Sequence, residues 1–306
     1  MLADMPEARP DGIVFFGTPA TAARCLSLMV GLGIVVDLVV TAEPKRRGRG
    51  SILMKTPVHE FAESQGITVI HDLEAVLPMV ETRGGQWLGV VVAYGRLIPR
   101  SLLARLPLVN LHFSLLPRWR GAAPVERAIL AGDTEVGVCV MRIVEALDEG
   151  DVFARVAIPA GNDDAEDLRD RLCVIGTKEL HRLLDGGWGI PTPQSGESTY
   201  ARKITKDERR IAWNESADHI VRVTRIGGAY TEIRQQRVKI AKAHGAEIEL
   251  ASWTSGEVRL VDRQVVVAGG SGHVVLEFVQ PAGRAVMSAL DWWNGLASTL
   301  DSVRFD

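Results

Sequence analysis

The chain has 306 residues, more than one hydrophobic core comfortably organises, so two domains are expected. With 46% hydrophobic and 24% charged residues and a formal net charge of −3, it has the balance of an ordinary globular protein and no global attraction to polyanions. Any nucleic-acid partner must then be met by local basic patches.

The three cysteines, Cys25, Cys139 and Cys173, are widely spaced, form no CxxC pair and lie near no histidine at ligand spacing. That pattern argues against a disulfide framework and against a structural zinc site, and no metal is expected. Met1 to Gly12 holds acidic residues and prolines but no apolar signal core, and no run approaches the roughly 18 apolar residues of a membrane helix. The expectation is a cytoplasmic monomer with no membrane association.

In chain order, Gly12 to Phe16 reads as a short apolar strand, Gly17-Thr-Pro19 as a turn, Ala20 to Leu32 as a helix, and Ile34 to Thr41 as a second buried strand. This βαβ order predicts a parallel sheet with crossover helices. The first turn lacks G-x-G-x-x-G, and no ribose-binding acid follows the second strand, which argues against a nicotinamide enzyme. Pro44 to Gly50, extending to Lys55, is the densest positive run and carries Lys45, Arg46, Arg47 and Arg49. Read alone it is a solvated loop; following a strand of the sheet, it can also reach over the sheet's mouth and meet phosphates. Pro57 to Gln65 predicts a helix, and Ile67 to Ile70 and Leu88 to Ala93 predict strands, the latter ending at Tyr94-Gly95.

Leu106, Leu108 and Val109 mark the next buried strand, closed by Asn110 and His112. Two residues apart on a strand, those side chains leave the same face. Pro107 and the Pro117 to Pro124 stretch stop the sheet there, and the carboxyl end of a strand is where open α/β folds place their chemistry. Ser114 to Pro117 cannot pair all its backbone groups, because Pro117 has no donor. Arg118, Trp119 and Arg120 set two guanidinium groups beside an aromatic face, a pattern that in isolation reads as a solvated turn. Gly121 to Pro124 leads into a helix over Val125 to Ala131. Val136 to Ile143 predicts a strand in which Cys139 is a buried, inert thiol. Leu147-Asp-Glu-Gly-Asp151 is a turn offering two acids, Asp148 and Asp151, before an antiparallel strand from Asp151 to Ile158. Asp164 to Leu184 reads as a long amphipathic helix.

Gly186 to Ser198, rich in Gly, Pro and Ser, predicts a linker with little to bury. Beyond it come a helix over Ser216 to Arg225 and short strands at Tyr230 to Arg234, Arg237 to Ala243, Glu257 to Leu260, Gln264 to Ala268 and His273 to Val279. That spacing suggests a small OB-like barrel. Arg202, Lys203, Lys206, Arg209, Arg210, Arg222 and Arg225 form one basic set here, and Arg234, Arg237, Lys239 and Lys242 another. Single-sign clustering with few aromatics suits phosphate contacts better than base stacking.

Asn110-x-His112, Ser114-Leu-Leu-Pro117 and Leu147-Asp148 together resemble the signature of the enzymes that transfer formyl groups from 10-formyltetrahydrofolate. The longer run Ser114-Leu-Leu-Pro-Arg-Trp-Arg-Gly-Ala-Ala-Pro124 resembles the methionyl-tRNA formyltransferase family. So do Phe16-Gly-Thr-Pro19, Tyr200-Ala-Arg-Lys-Ile204, Ala229-Tyr-Thr-Glu232, Val238-Lys-Ile240, Gln280-Pro-Ala-Gly283 and Met287 to Gly295. The likeness leaves only the first dozen or so residues outside.

It implies a Rossmann-like catalytic domain over residues 1–185, a linker over 186–206, and an OB-like, tRNA-contacting domain over 207–306. It implies Asn110 and His112 at the formyl oxygen with Asp148 as their carboxylate partner. The implied co-substrate, 10-formyltetrahydrofolate, would lie against Ser114, Leu115, Leu116 and Pro117, its pterin near backbone groups of Val91 to Tyr94 and of the Glu145 to Asp148 loop. The implied acceptor is initiator methionyl-tRNA, met by Lys45, Arg46, Arg47, Arg49, Arg118 and Arg120. Two stretches depart from the family pattern. Lys45-Arg46-Arg47 stands where Asp-Arg-Pro-Ala wording is commoner, and Ile226-Gly-Gly-Ala-Tyr230 where proline and tryptophan are frequent. A sugar-nucleotide N-formyltransferase would share Asn110, His112 and Asp148 without the basic run. A catalytically silent RNA-binding protein on the same scaffold would have no need to keep all three.

Overall fold

The computed structural model describes residues 2–47, 52–246, 253–297 and 303–306. The chain divides into two compact units. One comprises Met1–Val125, Thr134–Pro159 and Asp167–Arg202; the other comprises Glu126–Asp133, Ala160–Glu166 and Lys203–Asp306.

The first unit begins with β1 (Gly12–Gly17), α1 (Ala20–Gly31) and β2 (Leu38–Val40). Then follow β3 (Lys45–Arg47), β4 (Ile52–Met54), α2 (Pro57–Ser64), β5 (Thr68–Ile70) and α3 (Val76–Arg83). The chain continues through β6 (Trp87–Val92), α4 (Arg100–Leu103), β7 (Leu108–His112), β8 (Arg120–Gly121) and α5 (Pro124–Ala131), which from Glu126 onward belongs to the second unit. Last come β9 (Glu135–Arg142), β10 (Val152–Pro159), α6 (Ala165–Gly186) and β11 (Tyr200–Ala201).

Seven strands form one sheet in the order β10-β9-β7-β6-β1-β2-β5. The stretch from β7 to β5 is parallel, and β9 and β10 close one side antiparallel. β1 and β6 are buried at every position, as strands covered on both faces must be. Phe15 and Phe16 are fully enclosed, each stabilising the core by roughly 2–3 kcal/mol. In α1 the buried positions Ala22, Cys25, Leu26 and Met29 fall at helical spacing, so one stripe of that helix packs inward.

The strand order reverses between β1 and β6, making their carboxyl ends the switch point where such sheets open a crevice. Thr18 Oγ1 donates to the Tyr94 carbonyl across that point at 3.2 Å. The second strand is shorter than expected from Ile34 to Thr41, because only Leu38–Val40 finds ladder partners. α3 falls in a stretch for which the sequence named no element; its Pro78 sits in the first turn, where a missing donor costs nothing.

The second unit contains α7 (Ala217–Arg225), β12 (Tyr230–Ile233), β13 (Gln236–Gly245), β14 (Glu257–Val261) and β15 (Gln264–Ala268). β16 (His273–Pro281), β17 (Met287–Ser288), α8 (Ala289–Ala297) and β18 (Val303–Arg304) complete it. Its strands pair antiparallel in the order β12-β13-β16-β15-β14-β18, with β17 on β16, in a nearly closed barrel. Ser216 caps α7 by accepting the His219 N–H at 3.2 Å, as its position before an apolar-periodic run predicts. Phe305 lies stacked between Trp213 and Trp292, with ring centroids 5.2 and 5.6 Å away. The sequence reading had no element for α8 or β18; both pack into this core through Ala289, Trp292 and Val303.

Candidate active site

Asn110 and His112 project from one face of β7, whose neighbours Leu108, Val109 and Leu111 are buried. The β9–β10 connection folds back over that face and delivers Asp148. Asp148 Oδ1 lies 3.5 Å from Asn110 Nδ2, and Oδ2 lies 3.7 Å from His112 Nδ1. The second oxygen also accepts the Gly121 N–H at 2.8 Å. Asp148 is thus the acid brought against the amide and the imidazole. Asp151, by contrast, takes up the ladder, its carbonyl accepting the Arg142 N–H at 2.9 Å.

His112 is only 5% exposed, so its polar atoms need partners within the protein. Nε2 lies 2.9 Å from the Trp119 carbonyl. A carbonyl only accepts, so Nε2 carries the proton, and Nδ1 is the nitrogen turned toward Asp148. The Trp119 N–H in turn donates to Thr199 Oγ1 at 2.9 Å. Trp119 (φ 62°) and Asp148 (φ 52°) both hold left-handed backbone, which a non-glycine residue keeps only where surrounding bonds hold it. Gly150, in the Asp148 turn, cannot carry a side chain, because a Cβ would strike the Arg142 carbonyl oxygen.

The signature loop is itself tightly built. The Ser114 hydroxyl donates to the Arg118 carbonyl at 2.6 Å, and Arg155 from β10 donates to the Leu116 carbonyl. Leu116 is fully buried in a small cluster with Cys139, Met141 and Val152, and Leu115 fills the space above Gly137. Within the expected folate segment Ser114 to Pro117, then, the side chains of Ser114 and Leu116 are spent on the loop. Burial pushes the Cys139 thiol up, consistent with an inert core residue.

Arg120 does not present its guanidinium as an RNA contact. Its side chain is 11% exposed, its Nη1 pairs with Glu149 at 2.7 Å, and Nε and Nη2 donate to Gln194 Oε1 at 3.2 and 2.8 Å. Arg118 is exposed, with its guanidinium 4.6 Å from the Trp119 ring centre. Lys45 and Arg46 are exposed on β3, which pairs antiparallel with β4, so the expected loop is a short ribbon along its described part. Arg47 continues that strand, and Arg49 lies outside the described residues.

In the second unit, some of the basic set braces loops rather than facing outward. Arg225 donates to the Asp163 and Gly161 carbonyls, each at 2.9 Å, and Arg209 donates to the Gly227 carbonyl. Arg237 lies over the Tyr230 ring at 3.9 Å.

The stretch read as a linker lies against the signature loop. Thr192 and Val152 exchange backbone hydrogen bonds at 2.9 Å, β11 pairs parallel with β8, and the N–H groups of Ala122 and Ala123 donate to the Ala201 carbonyl. Gln194 and Thr199 are site-forming residues that the sequence reading passed over. A proline- and serine-rich run carries no spacing signal for them.

At the switch point, Tyr94 is buried with its ring edge-on to Phe16, and burial raises its phenol, with Arg96 acting in the opposite sense. A cavity of about 390 Å³ lies beside the start of the Asp148 loop, lined by Leu2, Arg100, Leu103, Ala104, Val144 and Glu145. None of Asn110, His112 and Asp148 lines it, so it is separate from the polar cluster. Among the described residues no group of three potential metal ligands occurs, and no helix is long and apolar enough to cross a membrane.

Residues 13–184 match the family described as Formyl transferase, and residues 203–297 match Formyl transferase, C-terminal domain. The fold is therefore that of a formyltransferase enzyme. A methionyl-tRNA formyltransferase of Clavibacter sepedonicus is 38% identical over 300 residues, covering 94% of this chain and 97% of the relative. One from Roseobacter denitrificans is 39% identical over 298 residues, covering 93% and 96%. The chain belongs to the methionyl-tRNA formyltransferase family. Its fold also matches HypX from Aquifex aeolicus, solved in complex with tetrahydrofolic acid, with a TM-score of 0.61 at 16% identity, covering 98% of this chain and 51% of that one.

Proposed function

We propose that the protein transfers the formyl group of 10-formyltetrahydrofolate to the amino group of methionine on initiator tRNA, with Asn110, His112 and Asp148 at the reacting atoms. The observation that carries this reading is their meeting within 3.7 Å on one face of β7, in a chain 38% identical to a methionyl-tRNA formyltransferase over 94% of its length.

In the reaction the methionyl nitrogen attacks the formyl carbon and the carbonyl electron pair moves to oxygen. The tetrahedral species then collapses with cleavage of the bond to N10, which leaves with a proton while the attacking nitrogen gives one up. Asn110 Nδ2 carries a second hydrogen besides the one facing Asp148, and it is the neutral donor for the forming oxyanion. Because Nε2 of His112 serves the Trp119 carbonyl, proton exchange falls to Nδ1, on the Asp148 side. The 3.7 Å between Nδ1 and Oδ2 exceeds a direct hydrogen bond, so a third polar group beside the pair, the amine or a water, is what links them.

In this reading folate runs along the Ser114 to Pro117 segment, touched through backbone rather than through the Ser114 or Leu116 side chains, with the pterin toward Tyr94. Lys45, Arg46, Arg47, Arg49 and Arg118 remain the cations for RNA phosphate, and Arg120 is left out because its guanidinium is internally paired. The direct test incubates purified protein with 10-formyltetrahydrofolate and methionyl initiator tRNA and recovers the amino acid after deacylation. Formylmethionine formed in step with tetrahydrofolate is expected. Folate turnover without formylmethionine would overturn the assignment.

A further inference from the structure

Gln194 lies in the segment between the two matched family regions, yet its amide grips the turn that carries Asp148. Its Nε2 donates both hydrogens, to the carbonyls of Asp148 and Gly150, each at 2.8 Å. Its Oε1 accepts from Arg120 Nε and Nη2. Arg120 also pairs with Glu149, so three consecutive residues of the turn are held at once. The next N–H in the chain, that of Gly121, donates to the Asp148 carboxylate. Arg120, Gly121 and Gln194 therefore fix both the backbone and the side chain of a residue whose φ of 52° a slack loop would not keep.

We infer that Gln194 is a positioning residue for Asp148: its amide, anchored by Arg120, holds the 148–150 turn so that the carboxylate faces His112 Nδ1 and Asn110 Nδ2. This rests on Asp148 taking part in turnover, as proposed above. The side-chain chemistry is specific. Two carbonyls and a guanidinium converge on one planar head, and among side chains of this length only an amide offers two donors and an acceptor together. Glutamate has the same shape and keeps the attraction to Arg120, but it sets a carboxylate against two carbonyl oxygens. Alanine removes the grip altogether.

The experiment compares wild type with Gln194→Glu, Gln194→Ala and Asp148→Asn by steady-state formylation, and follows the Gly121 amide by NMR hydrogen exchange. In both Gln194 variants kcat should fall about 10- to 100-fold, the cost of a small misplacement at a reacting group, with KM for folate and tRNA within about twofold. The Gly121 amide should lose exchange protection, because the carboxylate it donates to has moved. Gln194→Asn keeps the amide head one methylene short, should retain part of the rate, and stands in if the alanine variant does not fold. Wild-type kcat in Gln194→Ala, or unchanged Gly121 protection beside a lowered kcat, would overturn the inference. If Asp148→Asn is itself fully active, the role of Asp148 falls instead; an inactive Asp148→Asn beside a fully active Gln194→Ala sinks only the positioning role.

Discussion

Replacing Asp148 with asparagine exchanges one oxygen for an NH2 group at nearly constant volume, and the structure separates what this does to folding from what it does to turnover. Asparagine is tolerated in left-handed backbone, so the φ of 52° need not change. The Gly121 N–H, now 2.8 Å from a carboxylate oxygen, can still donate to the asparagine carbonyl. What is lost there is the charge assistance, the difference between roughly 1.5–3 and 0.5–1.5 kcal/mol, or about 1 kcal/mol. For a unit of the size that carries Asp148 that is a fall in Tm of about 2–4 °C. Turnover is affected far more, because the group opposite His112 Nδ1 ceases to be an anion and can no longer favour proton exchange through the imidazole. General acid–base assistance contributes about 10²- to 10⁴-fold, so kcat should fall by that range, which is about 3–5 kcal/mol in the barrier. Single-turnover formylation at saturating folate and tRNA, beside a thermal melt, reads both quantities. A kcat within fivefold of wild type, with the melt little changed, would refute the assignment of Asp148 to the reaction.

Asn110→Ala removes the neutral donor at the forming oxyanion and should lower kcat by about 10²- to 10³-fold with the fold retained, as circular dichroism and steady-state rates would show. Lys45→Ala should raise KM for tRNA and reduce the slope of log KM against log salt by about 1, since one phosphate contact is lost, without changing folate KM. Arg127 holds the Glu208 carboxyl down at about 2 from its ordinary 4.5, chiefly through their hydrogen bond and with help from the Thr205 N–H. A depressed carboxyl stabilises the fold fully above about pH 4.5, and that contribution is lost as the pH falls toward about 2. Glu208 is 36% exposed, so solvent screening reduces the contribution to about 1 kcal/mol. Arg127→Leu should therefore melt a few degrees below wild type near neutral pH, with the difference shrinking as the buffer is acidified toward about pH 2. A temperature gap independent of pH would remove the ion pair as its source.

The parts of the structure that were legible in advance are those in which a local pattern has one physical outcome. The continuous apolar runs of β1 and β6 can only be strands buried on both faces, and Ser216 ahead of an apolar-periodic run can only open a helix. The i, i+2 spacing of Asn110 and His112 on a strand puts both on one face, as β7 shows.

What was not legible depends on long-range pairing. Gln194 reaches a turn 46 residues earlier in the chain, and nothing in Pro-Thr-Pro-Gln-Ser-Gly distinguishes a clamp from a tether. Arg120 looked like an outward cation because its partners, Glu149 and Gln194, are distant in sequence. The tautomer of His112 could not be read from sequence either, since it is decided by the Trp119 carbonyl that a left-handed residue turns toward it.

The measurement that bears most directly on the central claim offers purified protein and 10-formyltetrahydrofolate three acceptors in parallel: methionyl initiator tRNA, methionyl elongator tRNA and a nucleotide-linked amino sugar. Formylation concentrated on the initiator species, and abolished in His112→Ala, is the result predicted. Formylation of the amino sugar with neither tRNA modified would contradict the account.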